Sequence, residues 1–114
     1  MSESPTLGEF EQIVLLAILR LEGNAYGFTI GAEIAERTGR KPSPGALYAT
    51  LERLEGKGFL ASRTGDPTPV RGGRAKRFFE VTGSGVEAVA RAQRAYQSLL
   101  DGLALPGLTG VAHA

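Results

Sequence analysis

The 114-residue chain has no cysteine and no tryptophan, and its one histidine is His113, beside the C-terminus. Without thiols there is no disulfide framework, no thiolate metal site and no cysteine nucleophile. One terminal histidine leaves little for a histidine-clustered metal centre or a Ser-His-Asp constellation. No window approaches the roughly 18 consecutive apolar residues of a membrane span. The opening MSESPTLGEF is acidic and polar rather than signal-like. Walker-type phosphate loops, nucleophile elbows and paired carboxylates in a predicted cleft are also missing. These absences predict a cytoplasmic chain that is not an enzyme, holds no cofactor or metal and has no membrane partner.

What is present suits one globular domain: 42% hydrophobic and 22% charged residues. The net charge of +1 hides an uneven distribution. Residues 1–39 set two arginines against six acids, residues 40–77 nine cations against three acids, and residues 78–114 two against three. A basic middle third is the footprint of a polyanion-binding face, although a merely solvated basic surface has the same composition.

Between Leu7 and Leu21, Leu7, Phe10, Val14, Ala17, Ile18 and Leu21 recur at helical spacing, and Ile13, Leu15 and Leu16 widen the stripe until the helix must be largely buried. A second helix is predicted over about 25–38, with Gly39 just past its end. Ser43-Pro44 is a strong helix-start signal, and the third helix runs to about Gly56 or Lys57, closed by Gly58. FLASR (59–63) and KRFFEVT (76–82) predict two short strands joined by a long Gly- and Pro-containing hairpin loop. Thr82 caps a last helix, from about Ser84 to Leu103. Three helices followed by a hairpin predict a mainly α (α+β) fold, a winged helix-turn-helix. Residues 1–82 would form the DNA-binding domain, 83–104 a dimerisation helix and 105–114 a flexible tail.

The third helix has an apolar line of Leu47, Leu51 and Leu54. At 100° per residue the opposite face carries Gly45, Ala49, Arg53 and Gly56, flanked by Ala46 and Tyr48. A nearly smooth face lets a helix sit close to base edges in a major groove about 12 Å wide. Ser43 and the free amides behind it suit a phosphate, and Arg53 can reach a phosphate or the two acceptors of a guanine. Tyr48 either gives its hydroxyl to a phosphate or packs, half-buried, beside the leucine line. In the hairpin, Arg71, Gly72, Gly73 and Arg74 are followed by Lys76 and Arg77. Glycines let such a loop press against a phosphate chain while the cations neutralise it or enter the minor groove. Glu9, Glu11, Glu52 and Glu55 are assigned to solvent or to salt bridges with neighbours such as Arg53 and Lys57.

In the last helix Val86, Val89, Gln93, Tyr96, Leu100 and Leu103 step by three and four, a heptad seam. The seam packs either on Leu15, Leu16 or Leu19 of its own chain or on a second copy. Self-association is preferred, because pairing doubles the base contacts at half-sites roughly 34 Å apart. Gln93 would then fix the register.

LGEFEQIVLLAIL (7–19), AYGFTI (25–30), TGRKPSPGALYATLERLEGKGFL (38–60) and RGGRAKRFFEVTGSG (71–85) together resemble the PadR family of bacterial transcriptional regulators, in its small form with one C-terminal helix. The resemblance implies a homodimeric repressor on an inverted-repeat operator, controlling a transporter or detoxification gene and released by a small aromatic effector. A tryptophan pair that sandwiches flat drugs at the dimer centre of one small member has no counterpart here. Tyr96 is the only aromatic residue of the last helix. The alternative is a winged-helix module whose basic face docks an acidic protein partner without binding DNA; the smooth third helix speaks against it.

Overall fold

The computed structural model describes residues 6–65 and 75–107. The elements are α1 (Glu9–Leu21), α2 (Gly27–Thr38), α3 (Pro44–Gly56), β1 (Leu60–Thr64), β2 (Arg77–Val81) and α4 (Gly83–Leu100). This is the expected winged helix-turn-helix, with four helices and one two-stranded antiparallel sheet among the described residues.

Local chemistry sets most boundaries. Glu22 (φ 46°) and Gly23 (φ 93°) turn the chain out of α1. Thr29 closes the start of α2, its hydroxyl oxygen accepting the Tyr26 amide at 3.0 Å. Ser43 caps α3 by accepting the Ala46 amide at 3.1 Å, with Pro44 at the first helical position. Thr82 caps α4 by accepting the Gly85 amide at 3.1 Å and donates its own proton to the Gly58 carbonyl at 2.7 Å. Gly85 has no substitute at this corner, because a Cβ there would lie 2.7 Å from Val81 Cγ1 and closer still to the Phe59 carbonyl oxygen.

The core is shared by all elements. Val14, Leu15, Ile30, Ile34, Leu51 and Leu54 are completely buried. Phe59, Leu60 and Phe79 bring in the hairpin, and Ala88 and Val89 bring in the start of α4. The hairpin pairs Leu60 with Val81 and Thr64 with Arg77. β2 also donates the Phe79 amide to the Ala25 carbonyl at 2.8 Å, so the α1–α2 link is stitched to the sheet.

Two expectations are corrected. α4 ends at Leu100, where Asp101 and Gly102 (φ 84°) turn the chain, so Leu103 lies beyond the helix. The heptad seam is also not one continuous surface: Val89 is 6% exposed inside the protomer core, whereas Val86 and Tyr96 are 46% and 52% exposed. The reason is geometric. The first turns of α4 lie on the body through Gly85, Ala88 and Val89, a three-four stripe that shares only Val89 with the seam. Beyond Val89 the helix leaves the body, with Gln93 and Leu99 exposed and Leu100 partly buried. Leu16, counted in the buried stripe of α1, and Leu19, one of the own-chain partners weighed for the seam, are exposed at 38% and 40%.

Candidate nucleic-acid interface

α3 turns Leu47, Thr50, Leu51 and Leu54 inward. That fixes the opposite face outward, and Gly45, Ala46, Ala49 and Gly56 are all exposed there. A Cβ added at Gly45 or Gly56 would meet nothing within 4 Å, so the surface is bare as well as small. Tyr48 stands on its edge with 42% exposure. The hydroxyl end of its side chain lies against Gly27 at the start of α2, where a Cβ would stand 2.8 Å from Cζ and closer still to the hydroxyl oxygen. The tyrosine therefore packs and remains accessible at once. Ser43 is exposed but uses its hydroxyl on Ala46, and its carbonyl takes the Leu47 amide at 2.9 Å. Pro44 has no amide, which leaves the Gly45 N–H as the donor pointing out of the first turn.

Arg53 rises from the C-terminal half of this face with its side chain 56% exposed. Its Nε donates to Glu11 Oε2 at 3.4 Å and its Nη2 to the Thr50 hydroxyl oxygen at 3.1 Å. Glu11 is itself only 7% exposed and also accepts from Lys57 Nζ, at 2.9 Å to each oxygen, and from the Gly8 amide at 2.8 Å. Burial alone would raise this carboxyl. The Lys57 bond, the Gly8 amide, the Lys57 charge and the Arg53 bond together outweigh it and hold Glu11 below the ordinary carboxylate value. Glu33 on α2 is likewise lowered, chiefly by its bond from Arg20 on α1 and against a smaller burial effect, with Arg37 adding to the fall. The acids read from the sequence as partners of nearby cations do pair: Glu9 meets Arg40 at 3.4 Å, and Glu52 meets Arg77 at 3.8 Å.

The wing is tied to the flank of α3. Arg77 Nη2 donates to Glu55 Oε1, Arg77 Nε donates to Ser62 Oγ at 3.2 Å, and Ser62 donates to Glu55 Oε2 at 2.8 Å. Arg77, grouped from the sequence with the DNA contacts, is thus engaged within the chain as a strut between β2 and α3. Lys76 stands with its ammonium 4.8 Å from the centre of the Tyr26 ring, which meets Phe78 edge-on at 5.5 Å. Arg63 lies over the other side of this cluster, 4.7 Å from the Phe78 ring. Arg71, Gly72, Gly73 and Arg74 lie outside the described residues.

Sequence reasoning missed two features. Phe28, 77% exposed on α2, edges an apolar recess of about 340 Å³ with Ala32, Pro42, Leu47 and Tyr48. Its one sequence signal was an aromatic residue off the Tyr26–Ile30–Ile34 face. The second is Glu11, whose burial was legible only in its place among the apolar residues of α1.

Among the described residues no helix is long and apolar enough to cross a membrane, and no group of acids and histidines could hold a metal ion.

Comparison with known proteins agrees with this geometry. Residues 15–91 match the model of the transcriptional regulator PadR-like family. The chain is 36% identical over 78 residues to transcriptional regulator Rv3488 of Mycobacterium tuberculosis, covering 68% of each protein. In structure it is similar to a PadR family regulator of Eggerthella lenta, with a TM-score of 0.65 and 25% identity over 82% of this chain and 81% of that one. A PadR family regulator from Clostridium difficile shares the fold with a TM-score of 0.64 at 23% identity, over 79% of this chain and 90% of that one. By that family match and that relative, on the same winged helix-turn-helix frame, the chain belongs to the PadR-like family of DNA-binding transcriptional regulators and is not an enzyme.

Proposed function

We propose that the protein is a homodimeric repressor that binds an inverted-repeat operator, each protomer placing α3 in a major groove and its wing on the neighbouring backbone. The observation that carries this reading is the outer face of α3: Gly45, Ala46 and Ala49 exposed, Arg53 rising beside them, and Glu55 braced to the wing strand through Arg77. A helix with such a face approaches base edges closely, and one arginine fork supplies a guanine contact. Residues 1–82 do the reading in this proposal and residues 83–104 the pairing.

Pairing is supported by apolar surface that a lone protomer leaves in water. Val86, Tyr96 and Leu99 on α4, and Leu103 just beyond it, are 46%, 52%, 76% and 50% exposed. Leu16 and Leu19 on α1, which packs against α4, extend that surface. A flat aromatic effector held between the copies would stack on Tyr96. By the family resemblance, the regulated gene would encode a transporter or a detoxification enzyme.

The test is a mobility shift with duplex DNA from upstream of the gene and its neighbours, read beside sedimentation of the free protein. The proposal expects two chains per inverted repeat and an affinity that falls steeply with salt, at a log-log slope of about −0.9 per phosphate neutralised. A monomer in solution, or binding without sequence preference, would overturn it. Phe28 is the one feature that favours the second reading, docking of a protein partner, because it is an apolar anchor beside α3. Loss of partner capture in Phe28→Ala, with no shift of any duplex by the wild type, would establish that reading.

A further inference from the structure

We infer that Glu11, on α1 and outside the helix-turn-helix, is the positioning residue that aims Arg53 at the DNA; this rests on the reading that α3 faces base edges.

A guanidinium has five N–H donors in one plane. Here two of them, on the Nε–Nη2 edge, are taken by acceptors inside the protein: Glu11 Oε2 at 3.4 Å and Thr50 Oγ1 at 3.1 Å. Neither acceptor is free to wander. Glu11 is buried, and its oxygens are pinned by Lys57 and the Gly8 amide. Thr50 is 3% exposed and sends its proton to the Ala46 carbonyl at 3.0 Å, which turns an oxygen lone pair toward Arg53. With one edge held, the end-on pair of Nη1 and Nη2 donors makes no further hydrogen bond among the described residues, on a side chain 56% exposed. That pair is the fork that fits the two acceptors of a guanine. Holding the arginine in place before binding removes rotamer entropy that the complex would otherwise lose.

Glu11 has a second effect on the same surface. It neutralises Lys57, whose side chain is only 29% exposed and whose ammonium also donates to the Thr6 carbonyl at 2.8 Å. An uncommitted Lys57 would add charge that attracts any phosphate, whatever the sequence. The buried carboxylate therefore raises discrimination from both sides: it orders the base-reading cation and silences one that reads nothing.

The experiment measures affinity of the full chain, by fluorescence anisotropy at one salt concentration, for two duplexes. One carries the inverted repeat selected by the wild type from a random pool, and the other is a scrambled duplex of equal composition. Glu11→Gln is expected to lower the ratio of the two affinities about tenfold, the scale of losing one bidentate base contact, without weakening binding to the scrambled duplex. Arg53→Ala should lower the ratio similarly, and Glu11→Gln should then add only the smaller fall that a freed Lys57 brings by tightening binding to the scrambled duplex. Thr50→Val, which leaves the Glu11–Lys57 pair in place, should move the ratio in the same direction, so the inference stays testable if Glu11→Gln folds poorly. A merely structural role for Glu11 would weaken binding to both duplexes alike. That result, or an unchanged ratio in folded Glu11→Gln and Thr50→Val, would overturn the inference while leaving the DNA-binding reading intact. A wild type that selects no duplex overturns both.

Discussion

Tyr48 lies across Gly27, its ring so close to that backbone that Cζ is 2.8 Å from where a Cβ would stand. The first turn of α2 and the edge of α3 thus meet through the hydroxyl end of a tyrosine and a missing methyl group. Gly27→Ala has to push out either the ring or α2. We expect it to destabilise the protein by about 1–3 kcal/mol, the usual cost of overpacking. Tyr48→Ala should relieve most of that cost, so urea titrations of the two single variants and the double variant should show a clear coupling energy. Additive effects would mean that the contact is not the reason for the glycine.

The Arg77–Glu55–Ser62 network predicts a different signature from that of a DNA contact. The groups are partly exposed, so their loss is expected to cost only about 1 kcal/mol, once solvent screening is allowed for. Arg77→Ala and Glu55→Ala should each show this loss, and the double variant little more than either. Thermal unfolding measures it. Weaker DNA binding in Arg77→Ala should come with the loss of stability, because the base of the wing has lost its hold on α3.

Arg71 and Arg74 should behave in the opposite way. Replacing either by Ala is expected to leave the melting temperature unchanged, weaken binding to every duplex and reduce the salt slope by about 0.9. Titration at several salt concentrations separates the two classes of arginine.

Glu11 gives stability a defined acid dependence. Its carboxyl is held below the ordinary value near 4.5, so the unfolded chain takes up this proton first as pH falls. Its contribution is therefore fully present above about pH 4.5 and disappears as pH drops through the lower folded value. Wild type and Glu11→Gln should differ by about 1–3 kcal/mol at pH 7, the cost of leaving buried partners unsatisfied. The difference should shrink below pH 4.5. Urea midpoints across that range check the sign.

The two halves of the α4 seam should separate cleanly. Val89→Ala removes methyl groups from the protomer core, at an expected cost of about 1–3 kcal/mol to unfolding. Leu99→Glu alters a side chain 76% exposed and should leave the protomer's own packing intact while splitting the proposed dimer. Sedimentation at several concentrations, beside thermal melts, distinguishes them.

How much of this was legible in the sequence depended on how local the physics is. Ser43-Pro44 and Thr82 announced their helices because a cap is chemistry among residues three apart. The strands were placed within a residue, since β-formers bounded by glycine and proline leave few registers. The smooth face of α3 was read correctly because helical periodicity alone fixes what opposes Leu47, Leu51 and Leu54. The sequence leaves Glu11 to solvent or to a salt bridge with Arg53 or Lys57, and the structure makes the bridge; the strut on Arg77 joins residues 22 positions apart through charge, which has no period and leaves no sequence signal. Val89 is left open between own chain and second copy for a related reason. A seam and a core stripe share one helix there, and only the angle at which α4 meets the body decides which wins.

The bareness of α3 carries an evolutionary corollary. Its inward line of Leu47, Thr50, Leu51 and Leu54 and its outward line of Gly45, Ala49 and Gly56 share no side chain. A lineage can therefore repaint the outward side, lengthening Ala49 into an amide or a cation, without disturbing what keeps the domain folded. On the proposed reading, duplicated copies are free to drift toward new operators one substitution at a time.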